Sequence, residues 1–175
     1  MTASRAETSG VAAQFSSVLP PAALSLAGVV ALALPLRLFE AAAPTPILPL
    51  LVVYHWSASA PDRFPAPAIL AIGLLQDFLL GAPLGQFAAA YLAIRWLTLT
   101  QSDFLYGRDG GAMWAGAAAT AAVAGAILWL TTSLTAGGFA PVWPAVAQIG
   151  LTVLFYPPLS RLFDRIIGAR GREAI

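Results

Sequence analysis

The sequence predicts an all-α, polytopic membrane protein: a bundle of six transmembrane helices in which the second and third spans are short. Composition is the first observation behind this prediction, since 59% of the 175 residues are hydrophobic and only 10% are charged. Soluble domains carry about 25% charged residues. The second observation is that the apolar residues lie in long blocks separated by proline, glycine and charged residues. Such blocks are typical of helices that cross a bilayer.

Each apolar block predicts one span, because about 20 residues at ~1.5 Å per residue cross a hydrocarbon core of ~30 Å. The second block is shorter, so its proline-rich start must continue the crossing, or the bilayer must thin around it. The third block is also short. The predicted spans are 18–39, 50–60 with the proline-rich start before it, 65–81, 83–100, 112–136 and 142–167.

The chain is therefore divided into a flexible cytoplasmic tail (1–17), a six-helix transmembrane domain (18–167) and a cytoplasmic C-terminal tail (168–175). Within the sixth span, Pro157 and Pro158 are expected to kink or end the regular helix. From Ser160 onward the pattern becomes amphipathic, which indicates a helix end at the membrane interface.

Arginine placement predicts the orientation, since cytoplasmic loops carry the excess of basic residues. Six spans put both termini on the same side, and only Arg37 falls on the opposite side. We therefore expect a membrane protein with both termini in the cytoplasm. The arginines that support this topology are Arg5, Arg63, Arg95, Arg108, Arg161, Arg165, Arg170 and Arg172.

Several classes of function find no support in the residue types. There is no cysteine and only one histidine, so thiolate metal sites are excluded and a Ser-His-Asp triad would depend on His55, with Ser57 and Ser59 as the nearby hydroxyls. No phosphate-binding loop or basic patch for nucleic acid is present. We expect a protein that is not an enzyme, with no catalytic, cofactor-binding or metal-ligating residues.

The segment Gly73–Gln86 holds the most informative polar residues, because a carboxylate among apolar side chains needs a partner, a cavity or a role. Asp77 lies near the outer end of span three, at a depth similar to that of Arg37, and an Arg37–Asp77 pair is one interpretation. The other is that Asp77 caps the short turn that follows it. Gln76 and Gln86 are expected to hydrogen-bond across helix interfaces.

His55 and Trp56 lie late in span two and allow two interpretations. As an interfacial pair they would face the headgroup region, where both residue types are common. A proton relay would need further acids at the same depth, and the sequence offers none there apart from the interfacial Asp62. At the other end of the chain, Arg161 and Arg165 are candidates for binding anionic lipids or a cytoplasmic partner, beside the simpler explanation of positive-inside topology.

Four short motifs lie between about Pro44 and Trp96: Pro46-x-x-Pro49, Val53-Tyr54-His55-Trp56, Ala60-Pro61-Asp62-Arg63 and Gly73-Leu74-Leu75-x-Asp77-x-x-x-Gly81-x-Pro83-Leu84-Gly85-Gln86. Through these motifs the segment resembles the MreD family, the rod shape-determining membrane proteins of bacteria. Tyr54 and Trp56 are separated here by His55, which departs from the family's adjacent Tyr-Trp pair.

This resemblance implies a non-catalytic scaffold of the cell-elongation (rod) complex. Such a protein binds MreC, helps to couple MreB to the RodA–PBP2 peptidoglycan synthase, and contacts membrane lipids. The structural or partner-binding candidates are Tyr54, Trp56, Gly73, Gln76, Asp77, Gly81, Pro83, Gly85, Gln86 and Arg37.

The alternative is a substrate-binding membrane subunit of a vitamin transporter of the energy-coupling-factor type, a group whose fold is similar. It predicts a polar cavity open to the outer face and lined by Asp77, Gln76, Gln86 and Arg37. The scaffold interpretation predicts a packed interior and an exposed groove of small residues.

Overall fold

The computed structural model describes residues 2–33, 45–101 and 110–173, with side chains for 17–32, 45–101 and 110–168. These residues form six α-helices and one 3₁₀ turn at Pro61–Arg63, and none of them is in a β-strand. The all-α prediction is confirmed for this part of the chain. The helices are α1 Thr2–Ala33, α2 Leu48–Ser59, α3 Ala66–Leu80, α4 Gln86–Thr100, α5 Gly110–Thr135 and α6 Val142–Glu173.

Helical structure extends beyond the predicted limits at both ends of the chain. α1 begins at Thr2, so the segment expected to be a flexible tail is helical, in keeping with its alanines and other good helix formers. Pro20 and Pro21 lie inside this helix. α6 likewise continues to Glu173, through most of the expected C-terminal tail.

α2 is the core of the molecule. Every residue from Pro49 to Ala58 is buried, and α1, α4, α5 and α6 all contact it. Its backbone start is fixed by α6, because the Ile47 N–H donates to the Thr152 hydroxyl at 3.0 Å. The helix has 12 residues, or ~18 Å of length, which confirms that this segment is short.

Only some of the helices are long enough to match the predicted membrane spans. Among the described residues, α5 and the Val142–Gly168 part of α6 are long and apolar enough to cross a membrane. α3 is short, as predicted, and α4 also has only 15 residues. Helix length alone therefore does not establish six membrane spans.

Pro157 and Pro158 were expected to kink or end α6, and they do not end it, because the helix runs through both. A proline has no N–H, so Pro157 leaves the carbonyl of Val153 without its usual helical donor. Trp114 of α5 supplies a replacement, since its indole N–H donates to the Val153 oxygen at 3.2 Å. A donor from a neighbouring helix thus satisfies a backbone group that the prolines expose.

α3 and α4 form a tight hairpin, with α4 also packed on α5 and α5 on α6. At Gly73 a Cβ atom would lie 2.7 Å from the backbone nitrogen of Ala88, so only glycine allows this approach. Arg95 fixes the opposite end of α4, because its guanidinium donates to the Phe64 carbonyl at 2.7 Å in the turn before α3. This hairpin positions most of the polar residues that the sequence singles out.

Candidate functional site

Asp77 caps the N-terminus of α4 from the end of α3. Its Oδ2 accepts the Gly85 N–H and its Oδ1 accepts the Phe87 N–H, both at 2.8 Å, and the side chain is 0% exposed. The first N–H groups of a helix have no intrahelical partner, and a negative charge there is favourable. The geometry is that of the capping interpretation. Arg37, the other expected partner, lies outside the described residues.

Two glycines shape the turn that brings this cap together. Gly81 ends α3 in the left-handed region (φ 63°), and Ala82 N–H donates to the Asp77 carbonyl at 2.9 Å in the Schellman pattern. Gly85 precedes α4 with φ 92°, which a side chain would strain. Pro83 lies between the two and also lines a cavity described below. The backbone conformation at these two positions therefore requires glycine.

Gln76 fastens α3 to α4 one residue before Asp77. Its Oε1 accepts the Tyr91 hydroxyl at 2.6 Å, and both side chains are completely buried. Its Nε2 has no hydrogen-bond partner among the described residues. Gly73, Gln76 and Asp77 share one face of α3 by their i, i+3, i+4 spacing. The sequence analysis did not select Tyr91. The one indication was that Tyr91 lies on the predicted span that follows the span of Gln76.

Gln86 connects α4 to α5, as expected of an amide at a helix interface. Its Nε2 donates to the Leu128 carbonyl at 3.2 Å and to the Thr132 hydroxyl at 3.1 Å. The Leu128 carbonyl can only accept a hydrogen bond, so the amide nitrogen of Gln86, and not its oxygen, must point toward α5. The Oε1 atom is then buried and has no hydrogen-bond partner in the described part of the chain.

A cavity of about 500 Å³ opens beside Gln86, between the starts of α4 and α6 and the end of α5. Asp77 and Gln76 do not line it. Its walls are mostly apolar, and its polar side chains are those of Gln86, Thr132 and Gln148, with the indole of Trp129. The lining residues are Ile47, Ala82, Pro83, Gln86, Phe87, Gly125, Leu128, Trp129, Thr132, Ala140, Pro141, Pro144, Ala145, Gln148 and Ile149.

Tyr54 and Trp56 are core residues of α2 and are not available to a partner in this structure. Tyr54 is 0% exposed and donates its hydroxyl proton to the Met113 carbonyl at 2.9 Å. Trp56 is 1% exposed and packs edge-on against Phe163 of α6, with ring centroids 5.1 Å apart. Their burial gives them a structural role.

His55 is buried beside them and meets α6 through both ring nitrogens, so the interfacial interpretation does not fit its environment. Nδ1 lies 3.2 Å from the Tyr156 hydroxyl oxygen. Nε2 lies 3.2 Å from Asp164 Oδ1, close enough for an ion pair but outside hydrogen-bond alignment. Asp164 is 67% exposed, so the buried imidazole contacts a carboxylate at the protein surface. Sequence reasoning missed Tyr156 and Asp164 because both are distant in sequence.

The remaining candidates lie on the exposed end of α6. Arg161 and Arg165 are exposed and have no hydrogen bond or ion pair with the part of the chain that the structure describes. Within that same part, no group of three or more His, Cys, Asp or Glu side chains could hold a metal ion.

Comparisons of the chain with protein-family models, with curated proteins and with solved structures found no significant match.

Proposed function

We propose that the chain is a multi-pass protein of the bacterial inner membrane, with six spans and both termini in the cytoplasm. Lipid would cover the large apolar side chains that α5 and α6 expose, since soluble monomers rarely expose contiguous patches of this kind. The shorter helices would cross as parts of the bundle, where irregular backbone is shielded by its neighbours. The exposed side chains include Leu130, Leu134, Val146, Leu154 and Phe155.

Within that membrane the proposed role is a non-catalytic scaffold subunit of the cell-elongation complex. It would bind MreC and help to couple MreB to the RodA–PBP2 synthase, so maintaining rod shape. The resemblance of the segment Pro44–Trp96 to the MreD family is the origin of this proposal. The geometry supports it, because Gly73, Gln76 and Asp77 hold α3 against α4 inside a packed bundle. Arg161 and Arg165 would contact anionic lipids or cytoplasmic members of the complex.

An exposed alanine face on α5 is the observation that carries the scaffold role. Ala115, Ala119, Ala122 and Ala126 are all exposed and recur at the spacing of one helix face. Helices associate in lipid through small residues that let their backbones approach closely. A second set on the same helix, Ala117, Ala121 and Gly125, is already buried inside the bundle. The exposed face of α5 is therefore available to MreC's single membrane helix.

Co-purification tests this proposal directly. The protein would carry a C-terminal tag, be solubilised mildly from a rod-shaped host and be analysed for bound MreC. Near-equal recovery of MreC is expected for the wild type, with a loss of most of it in Ala119→Leu. Ala71→Leu is the matched control, since Ala71 is also an exposed alanine but lies on α3, with the larger Pro67 and Leu75 one turn away on either side. Recovery of an ATPase pair in place of MreC would overturn the scaffold role.

The transporter alternative receives less support from the geometry. It requires Asp77, Gln76, Gln86 and Arg37 around a polar cavity, yet Asp77 and Gln76 are fully buried and bonded within the α3–α4 hairpin. Of the described members of that set, only Gln86 lines the cavity. A vitamin-like, strongly polar ligand would find few partners there.

A further inference from the structure

We propose that the bilayer is thinner beside the α3–α4 hairpin than beside α5 and α6, so that the headgroups of the outer leaflet lie lower there and reach the turn of residues 81–85. The partner of this surface is the bilayer itself: acyl chains cover the hairpin, and headgroups with their water meet its turn. The inference rests on the proposed membrane topology and does not depend on MreC.

The exposed surface of the α3–α4 hairpin is uncharged over almost its whole length. Asp77 is the only charged side chain between residues 66 and 94, and it is 0% exposed. Large apolar side chains are exposed along α3, and Leu84 continues this surface onto the turn. A continuous exposed surface of this kind fits the hydrocarbon of a membrane. The exposed apolar side chains of α3 are Leu70, Leu74, Leu75, Phe78, Leu79 and Leu80.

The hairpin is shorter than an ordinary hydrocarbon core. α3 and α4 have 15 residues each, or ~22 Å of helix at ~1.5 Å per residue. The hydrocarbon core of a typical bilayer is ~30 Å thick. α5 has 26 residues, or ~39 Å of helix, and exceeds that thickness. The two sides of the bundle therefore match bilayers of different thickness.

A contact between α4 and α5 places the α3–α4 turn below the outer end of α5. The amide of Gln86, the first residue of α4, donates to the Leu128 carbonyl and to the Thr132 hydroxyl. α5 continues beyond these residues to Thr135, which adds roughly 5–10 Å of helix above the contact. The turn that precedes Gln86 thus lies well short of the end that α5 reaches.

The higher parts of α5 and α6 expose residue types that belong in a membrane. Leu134 and Val146 are large, apolar and exposed. Trp143, in the first turn of α6, is 77% exposed, and tryptophan is enriched at the level of the headgroups. The headgroups on this side of the bundle are therefore expected near Trp143, above the level of the α3–α4 turn.

The backbone of the α3–α4 turn distinguishes a turn buried in hydrocarbon from a bilayer surface that lies lower. Helical geometry pairs the Leu79 carbonyl with the N–H of residue 83, which is proline and has none. No backbone N–H of the described residues donates to this carbonyl instead. At Val153 the same defect is repaired by Trp114. Hydrocarbon offers no donor to the Leu79 carbonyl, whereas water and headgroups at a lowered surface do.

The chain has no cysteine, so a single introduced cysteine reports the depth of one position. Purified variants in vesicles of dioleoyl-phosphatidylcholine would be treated with a membrane-impermeant maleimide. Leu84→Cys lies in the α3–α4 turn. Leu130→Cys is the matched control, because Leu130 is exposed on α5 between the two residues that Gln86 contacts. We expect Leu84→Cys to be labelled as fully as Gly138→Cys, in the turn between α5 and α6, and Leu130→Cys to remain unlabelled.

The other labelling patterns would overturn the proposal. If neither Leu84→Cys nor Leu130→Cys is labelled, the α3–α4 turn is buried in hydrocarbon. If both are labelled, the bilayer surface is equally low on the two sides of the bundle. Gly138→Cys tests the topology separately, because in spheroplasts it should react with maleimide added outside. A lack of reaction there would contradict the six-span topology, whatever the thickness of the bilayer. All three positions are exposed, and gel filtration checks that each variant is folded.

Acyl-chain length distinguishes a lowered bilayer surface from a water-filled recess in the protein. Thinning a bilayer costs more as the mismatch between protein and lipid grows. Labelling of Leu84→Cys, measured relative to Gly138→Cys, should therefore remain full in dimyristoleoyl-phosphatidylcholine and fall in dierucoyl-phosphatidylcholine, which has longer chains. Labelling that does not change between these lipids would show that water reaches the turn through the protein, and the proposal would be wrong.

Discussion

The indole N–H of Trp114 donates to the carbonyl oxygen of Val153, the backbone acceptor that Pro157 leaves without a helical donor. The bond crosses from α5 to α6, and both of these helices are long and apolar enough to span a membrane. In a lipid environment no water is available to satisfy that carbonyl. The side chain of one helix thus compensates for a backbone defect in its neighbour.

Trp114→Phe should therefore destabilise the protein by about 1 kcal/mol, the usual net value of one hydrogen bond. Pro157→Ala restores an N–H in the helix, so Trp114→Phe should cost much less in that background. The free energy of unfolding in mixed micelles measures both. Trp143→Phe is the matched control, because Trp143 is exposed on α6. Equal costs of Trp114→Phe in the two backgrounds would contradict the coupling.

Asp77→Ala should cost about 2–4 kcal/mol of unfolding free energy, because two α4 N–H groups lose a charged acceptor. Asp77→Asn should cost less, since one carbonyl oxygen remains. Asp62→Ala, an exposed acid in a turn, should change stability by under ~0.5 kcal/mol. Arg37→Ala tests the other interpretation: a loss that matches Asp77→Ala and vanishes in the Asp77→Ala background would indicate an ion pair instead of a cap.

Gly73→Ala should destabilise the α3–α4 hairpin by about 1–3 kcal/mol or more, as overpacking does. The added Cβ would meet the backbone of Ala88, so Ala88→Gly should not rescue the variant. Gly150→Ala is the matched control, since a Cβ at this helical position meets no atom within 4 Å. It should stabilise the helix by up to about 1 kcal/mol. Thermal unfolding in detergent separates the two, and a neutral Gly73→Ala would show that the helices can move apart.

The sequence was sufficient for features that depend on neighbours along the chain. The shortness of α2 and α3 could be predicted from the prolines and glycines that bound them, and the cap by Asp77 was one of two stated interpretations. Tertiary partners could not be predicted in the same way. The donor that replaces the missing N–H of Pro157 comes from Trp114, and the environment of His55 depends on the course of α6 beside α2. No pattern in the sequence predicts the contact between a buried histidine and a carboxylate far along the chain.

That contact gives the last prediction, which concerns the tautomer of His55. Because Tyr156 can donate its hydroxyl proton to Nδ1, the neutral ring should carry its own proton on Nε2, facing Asp164. His55 is the single histidine of the chain, so ¹⁵N-histidine labelling yields one pair of ring signals. Tyr156→Phe should mainly shift the Nδ1 signal, and Asp164→Asn mainly the Nε2 signal. Asp62→Asn serves as the control and should shift neither. A proton found on Nδ1 of the neutral ring would mean that His55 donates to Tyr156 and that Nε2 faces Asp164 without a hydrogen.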